Sequence, residues 1–314
     1  MEKTNLSVND IPKPEAYFDK MSNINKVNKK GLKNGFFSFL LVLLLMPIGH
    51  AIMILNENIL HHQKYLGAII MGFVGVVLVI WGIKKNKKAN LATIMGFLGG
   101  VLIWTGWVEF SFMWVAEKNN VANLMVNGEI ATKREYLVML SSLGLLGTIM
   151  VFFLFIRTNC TFFIWFQEKL GYKNDIAPQG RYFKKPLAIT TFIETIMLLW
   201  FFYIVLLLVY DDSIAGDKHI ATYIVAWGSL IWSIYLISIL IKIQVFDYAV
   251  RYAVPTVIIF WNFVEVLGRW ETFKEVWIYP LEHWFEVSLM VVVVVGLLFL
   301  FLKTPYFKKE FKRV

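Results

Sequence analysis

Long apolar runs separated by short polar segments dominate the chain. A helix needs about 20 consecutive apolar residues to cross the roughly 30 Å hydrocarbon core of a bilayer. Eight windows approach or exceed this length: Gly35–Leu55, Leu66–Ile83, Leu91–Ala116, Tyr136–Ile156, Leu187–Val209, Ile220–Ile241, Tyr252–Leu267 and Trp284–Leu302. This pattern predicts an all-α integral membrane protein, a polytopic bundle of about eight transmembrane helices.

The basic residues alternate from one loop to the next. Of the 31 Lys and Arg residues, 24 fall in the two terminal tails and in the loops after the second, fourth and sixth windows. Because Lys and Arg collect in cytoplasmic loops, we predict a multi-pass protein of the cell membrane with both termini in the cytoplasm. The predicted parts are a cytoplasmic tail (1–34), a two-helix transmembrane hairpin (35–90), a six-helix body (91–303) and a basic tail (304–314).

Composition agrees with this class. The chain is 58% hydrophobic and 17% charged, whereas soluble domains are about 45–50% apolar and about 25% charged. The net charge of +9 is then explained by topology and by contact with anionic lipids, and no nucleic-acid partner is predicted. The aromatic segment 162–170 is too short to span and is predicted to lie in the inner interface. The single Cys160 can form no intrachain disulfide.

Polar residues inside the apolar windows carry the functional prediction, because a charge at mid-bilayer costs at least about 2.5–3.5 kcal/mol. Glu109, Glu194 and Glu265 lie within windows. We name Glu109 and Glu194 as candidate catalytic residues, and we expect Glu109 to face the bundle interior. Arg269 follows Glu265 by four residues, a spacing that predicts an ion pair along one helix face.

A metal site is predicted on the outer side. His219 and His283 each begin a span from that surface, and Asp212, Glu265 or Glu286 could complete the ligand set. Imidazole and carboxylate ligands suit several transition metals, and we predict copper or iron. The alternative is that these histidines are interfacial residues hydrogen-bonded to nearby acids. No nucleotide or haem is predicted, because phosphate-binding glycine motifs and suitably spaced histidine pairs do not occur in the sequence.

Two motifs resemble a known family. The third window contains Trp104, Trp107, Glu109 and then Trp114-Val-Ala116, and a later run contains Glu265, Glu275 and Pro280-Leu281. Over about residues 91–303 this order resembles the C subunit of copper-dependent membrane monooxygenases, the methane and ammonia oxidising family. The family's copper-ligand pattern Asp-x3-His-x12-His does not occur, and Glu282 follows Leu281 where the family has His. The resemblance implies a divergent subunit whose metal site is built from other residues or lost.

Three functions are compatible with these observations. The first is an integral subunit of a copper- or iron-dependent membrane oxidase or monooxygenase complex, with other membrane subunits and lipids as partners and a small apolar substrate. The second is a proton- or cation-coupled transporter in which Glu109, Glu194 and Glu265 carry the charge. The third is a noncatalytic assembly subunit whose polar residues only satisfy one another.

Overall fold

Helices make up most of the protein. The computed structural model describes residues 27–126, 129–155, 166–167, 169–171 and 186–303. Its long helices are α1 (Lys29–Leu60), α2 (Lys64–Lys84), α3 (Ala89–Lys118), α4 (Arg134–Phe155), α5 (Leu187–Tyr210), α6 (Ile220–Leu240), α7 (Phe246–Arg269) and α8 (Trp284–Lys303). Strands β1 (Leu124–Val126) and β2 (Glu129–Thr132) pair antiparallel in the loop between α3 and α4. Most of both predicted tails, Cys160 and most of the aromatic segment 162–170 lie outside the described residues.

The described residues contain seven helical stretches long and apolar enough to cross a membrane, one fewer than the predicted eight. The difference arises in Lys29–Lys84, which is one helical stretch covering two predicted windows. It contains α1, a single 3-10 turn at the polar residues His61–Gln63 and α2, without a non-helical break between them. His61 has a positive φ of 38°, and the Asn56 side chain donates to the Lys64 carbonyl oxygen across this turn.

The helices run between two ends of the bundle, which we call upper and lower. At the upper end, where α1 gives way to α2, Lys64 pairs with Glu117 near the end of α3. At the lower end, where α1 begins, the Asn34 side chain donates to the Gln244 carbonyl oxygen. The rings of Phe37 on α1 and Phe301 on α8 are also in contact there. The start of the first helix and the end of the last therefore lie at the same end.

Small residues allow the central helices to approach closely. A Cβ atom on Gly75 of α2 would lie 2.8 Å from the carbonyl oxygen of Gly99 on α3. A Cβ atom on Gly96 of α3 would overlap the backbone of Ala188 on α5. The α2–α3 and α3–α5 interfaces therefore depend on glycine, as is common where helix backbones pack tightly in membranes.

Helix α7 occupies the centre of the bundle. Its sequence is the least apolar of the seven membrane-length stretches, yet most of it is buried. In contrast, α4 and α8 expose mainly apolar side chains. The polar residue Asn262 of α7 is thus surrounded by protein, and Glu265 is partly buried. Pro255 lies inside the helix, which begins at Phe246, six residues before the predicted window.

Helix α3 contains a π-helical segment, Trp104–Glu109. Such segments widen one helical turn and are frequent at functional sites. Gly106 packs against the backbone of α2, where a Cβ atom on Gly106 would lie 2.7 Å from the Ala68 carbonyl oxygen. The irregularity brings both Trp104 and Glu109 to the buried side of α3.

Candidate functional site

Three polar side chains from three helices meet inside the upper half of the bundle. The Tyr203 hydroxyl on α5 lies 3.1 Å from Nε2 of His50 on α1, within hydrogen-bonding distance. The same Nε2 atom lies 3.6 Å from Oε1 of Glu265 on α7. Glu265 also accepts a 2.6 Å hydrogen bond from the Trp261 indole one turn earlier. We call His50, Tyr203 and Glu265 the interior triad.

Glu109 extends this polar region onto α3. Its side chain is 3% exposed, and Oε1 accepts a 2.8 Å hydrogen bond from the Trp104 indole across the π-helical segment. The Trp104 ring stacks on one side of Tyr203 with 5.6 Å between centroids. Tyr136 of α4 also stacks on Tyr203, at 5.7 Å. These aromatic contacts fix the Tyr203 ring and therefore the direction of its hydroxyl group.

A small cavity adjoins the interior triad. Its volume is about 20 Å³, enough for about one water molecule. Tyr203, Glu265 and Asn262 supply polar groups to a lining that is otherwise apolar: Met46, Leu199, Phe202, Leu206, Ile258 and Trp261. A water there would have polar partners on two helices, α5 and α7.

Glu275 approaches the triad from the α7–α8 loop. Its carboxylate lies against Gly268, where any Cβ atom would overlap it. Burial and the nearby carboxylate of Glu265 raise the pKa of Glu275 to about 7. The Trp277 ring, two residues on, contacts the Trp261 ring at 5.1 Å. Gly268 is therefore needed to admit a carboxyl group that exchanges its proton near neutral pH.

Charged residues at the upper end surround the approach to this region. Lys133 lies 3.5 Å from Glu57 of α1 and 4.0 Å from Glu135 of α4. Beside them, Glu117 of α3 binds Lys64 and Arg134. Glu135 is nearly fully buried, while Lys133 is about one-third exposed. The lysine therefore joins the buried carboxyl group to the surface of the bundle.

The glutamates predicted within spans have different surroundings. The interior orientation expected for Glu109 is confirmed by its burial and by its bond to Trp104. Glu194 is 1% exposed within α5. The predicted pair of Glu265 with Arg269 is wrong, because Arg269 donates to Asp217 at 2.8 Å instead and Glu265 is directed to Trp261 and His50. The interior position of α7 explains this difference.

The five predicted metal ligands lie in different places. Asp212 and His219 line one open recess on the α5–α6 loop, and His219 Nδ1 caps α6 by accepting from the Ala221 backbone N–H at 3.2 Å. His283 and Glu286 contact each other at 3.6 Å at the start of α8. Glu265 lies in the interior triad. Among the described residues, no group of three or more His, Cys, Asp or Glu side chains is arranged to hold a metal.

Sequence reasoning missed several members of the site. His50, Tyr203 and Tyr136 lie within apolar windows and were not named as candidates, and Trp104 was noted only as part of the family resemblance. The cost of an ionisable group in a span is a signal that applies to His50 as much as to the glutamates. No comparable signal in the sequence marks Tyr203, because its partners come from distant parts of the chain.

Comparison with known proteins identifies no relative. No family model matches the chain, and no curated protein or solved structure matches it either.

Proposed function

We propose that the protein is a multi-pass protein of the cell membrane that carries protons across the bilayer through its interior. The class is a proton transporter. The observation that carries this proposal is the interior triad, in which His50 Nε2 lies 3.1 Å from the Tyr203 hydroxyl and 3.6 Å from Glu265. Ionisable groups inside membrane spans commonly mark proton relays.

The chemistry of the triad suits proton transfer. Imidazole is a common proton shuttle because it gains and loses a proton near physiological pH. A tyrosine hydroxyl can donate and accept hydrogen bonds at once, and a carboxyl group accepts in one state and donates in the other. A proton on His50 can therefore move to Glu265 directly or through the Tyr203 hydroxyl, with a water in the adjoining cavity as a further acceptor.

Buried titratable residues also occur below the triad. Glu194 precedes Tyr203 on α5 by nine residues, which is about 14 Å along the helix axis, and is 1% exposed. Near the start of α7, Asp247 and Arg251 form a buried pair 3.7 Å apart. Asp247 precedes Glu265 by about 27 Å of helix, close to the hydrocarbon thickness. These positions support a path that continues from the triad toward the lower end.

The proposed orientation places the lower end in the cytoplasm. Lys29, Lys33, Lys84, Lys85, Lys87, Lys88 and Lys242 are at or near the lower ends of α1, α2, α3 and α6. Such an excess of Lys is typical of cytoplasmic loops. Protons would then enter at the upper end, from outside the cell, and leave at the basic end.

A copper- or iron-dependent monooxygenase subunit, the first function predicted from the sequence, is the second candidate. His50 and Glu265 offer one nitrogen and one oxygen donor at a separation that two ligands of one ion can adopt. Elemental analysis of the purified protein tests this alternative, with His50→Gln as the matched sample. Stoichiometric copper or iron that is lost in His50→Gln would favour the oxidase over the transporter.

Proton flux into liposomes tests the transporter. The purified protein is reconstituted into vesicles that contain a pH-sensitive dye, and the external pH is lowered with valinomycin and potassium balancing the charge. We expect uptake at least tenfold above empty vesicles, and at least a tenfold loss in His50→Gln and Glu265→Gln. His62→Gln and Glu282→Gln change exposed residues of the same types and should retain the flux. Equal flux in empty and loaded vesicles would overturn the proposal.

A further inference from the structure

We propose that Glu135 is the residue through which protons enter the interior of the bundle from the upper end, and that the Lys133 ammonium group controls this entry. This inference depends on the proposed proton transport. Neither residue stood out in the sequence, where both fall at the boundary between a loop and a span.

Glu135 combines burial with an unsatisfied carboxyl oxygen. Its side chain is 2% exposed, and within the described part of the chain Oε1 has no hydrogen-bond partner. A buried polar atom without a partner costs about 1–3 kcal/mol, so a purely structural carboxyl group would be expected to be satisfied. An acceptor oxygen without a hydrogen-bond donor at this position is available to receive a proton.

Lys133 connects this oxygen with the surface. Its Nζ atom lies 4.0 Å from Glu135 Oε1 and 3.5 Å from Glu57 Oε2, and its side chain is 34% exposed. The ammonium group partly offsets the cost of ionising the buried Glu135 carboxyl group, as an opposite charge within about 4–6 Å does. Arg134 and Glu57 are the other charged groups that act on Glu135 at this end.

The interior side of Glu135 leads to the triad. The next residue, Tyr136, stacks on Tyr203, whose hydroxyl contacts His50. Glu109 on α3 lies within electrostatic range of both Glu135 and Lys133. The Glu135 carboxylate would take a proton from water at the upper surface and become a neutral acid. It would return to the carboxylate when that proton passes to Glu109 or His50, with no change in oxidation state.

The test measures proton uptake in the same vesicles as a function of the pH of the supplying solution. We expect Glu135→Gln to reduce the initial rate at least tenfold, and Glu135→Asp to restore a measurable part of it. Lys133→Gln should shift the midpoint of the pH profile upward by about one unit, because loss of the ammonium group strengthens proton binding at Glu135. Lys133→Arg keeps the charge and should leave the midpoint within about 0.3 units of the wild type.

Two outcomes would overturn the inference, and they differ from failure of transport itself. If His50→Gln abolishes the flux while Glu135→Gln retains the wild-type rate, protons enter by another route. An unchanged midpoint in Lys133→Gln would remove Lys133 from the entry step. Folding of Glu135→Gln is judged by gel filtration in detergent. If this variant does not fold, Glu135→Asp and the two variants Lys133→Gln and Lys133→Arg decide the question. Absence of flux in the wild type overturns both proposals.

Discussion

The Nε2 atom of His50 lies 3.6 Å from Oε1 of Glu265, although the two residues belong to the first and seventh helices. Tyr203 of the fifth helix lies 3.1 Å from the same Nε2 atom. One imidazole thus contacts two other helices in the interior of the bundle. Its loss would affect both the packing of these helices and the chemistry of the site.

We predict energetic coupling between His50 and Glu265. The change in unfolding free energy of the double variant should differ from the sum of the changes in His50→Gln and Glu265→Gln by about 0.5–3 kcal/mol. Contacting polar residues are coupled in this way. Unfolding of the two single variants and the double variant in detergent measures this difference. Additivity within about 0.3–0.5 kcal/mol would contradict the contact.

The bond between Trp104 and Glu109 gives a second prediction. Trp104→Phe removes the indole donor and leaves the buried Glu109 carboxylate without it, so we expect a loss of about 1–3 kcal/mol in unfolding free energy. Trp114→Phe on the same helix changes an exposed ring and should cost less than about 0.5 kcal/mol. In a Glu109→Leu background the cost of Trp104→Phe should fall, and an unchanged cost would show that packing alone is responsible.

A pH prediction follows from Glu275. The pKa of its carboxyl group is raised from the ordinary 4.5 to about 7 by burial and by Glu265. Between these two values the folded protein holds a proton that the unfolded chain releases. The stability contributed by this proton is complete below about pH 4.5 and is lost as the pH rises through 7. The unfolding temperature should therefore decrease across this interval, as measured by thermal scans at fixed ionic strength.

Glu275→Gln should remove that part of the pH dependence, because the amide does not titrate. Glu282→Gln, an exposed residue of the next loop segment, is the control and should follow the wild-type curve. A wild-type unfolding temperature that rises between pH 4.5 and 7, with the same slope in Glu275→Gln, would show that other groups dominate.

Much of the fold could be predicted from the apolar windows. Helices α2 to α6 and α8 begin and end within about two residues of their windows, because hydrophobic length directly reflects bilayer thickness. The number of separate stretches could not be predicted in the same way. The polar segment 56–65 between the first two windows is itself helical, and the 3-10 turn at His61–Gln63 keeps Lys29–Lys84 continuous.

The site was predicted only in part. The cost of burying a carboxylate correctly placed Glu109 in the interior of the bundle. The predicted partner of Glu265 was wrong, because an i,i+4 pattern considers one helix alone. His50 on the neighbouring α1 lies 3.6 Å from Glu265 instead. The proposed metal ligands were chosen by their shared outer surface, but sharing a surface does not bring side chains into one coordination sphere.

A matched pair of glycines tests the packing of α3 on α5. Gly96→Ala would place a Cβ atom against the Ala188 backbone, which cannot turn aside as a side chain can. We expect a loss of about 1–3 kcal/mol in unfolding free energy, typical of overpacking. Gly144→Ala on α4 has no atom within 4 Å of the added Cβ among the described residues. It should be neutral or slightly stabilising, and equal effects of the two substitutions would contradict this packing.

The last prediction concerns the path of Lys29–Lys84 through the membrane. Helices α1 and α2 contain 32 and 21 residues, about 48 and 32 Å of helix, so each can cross a core of about 30 Å. With Cys160 replaced by Ser, His62→Cys at the upper turn and Lys87→Cys at the lower loop introduce single exposed thiols. We expect a membrane-impermeant maleimide added to intact cells to label His62→Cys, and Lys87→Cys to react only after permeabilisation. Labelling of both from the same side would show that this stretch does not form two crossings, and labelling of Lys87→Cys alone would reverse the proposed orientation.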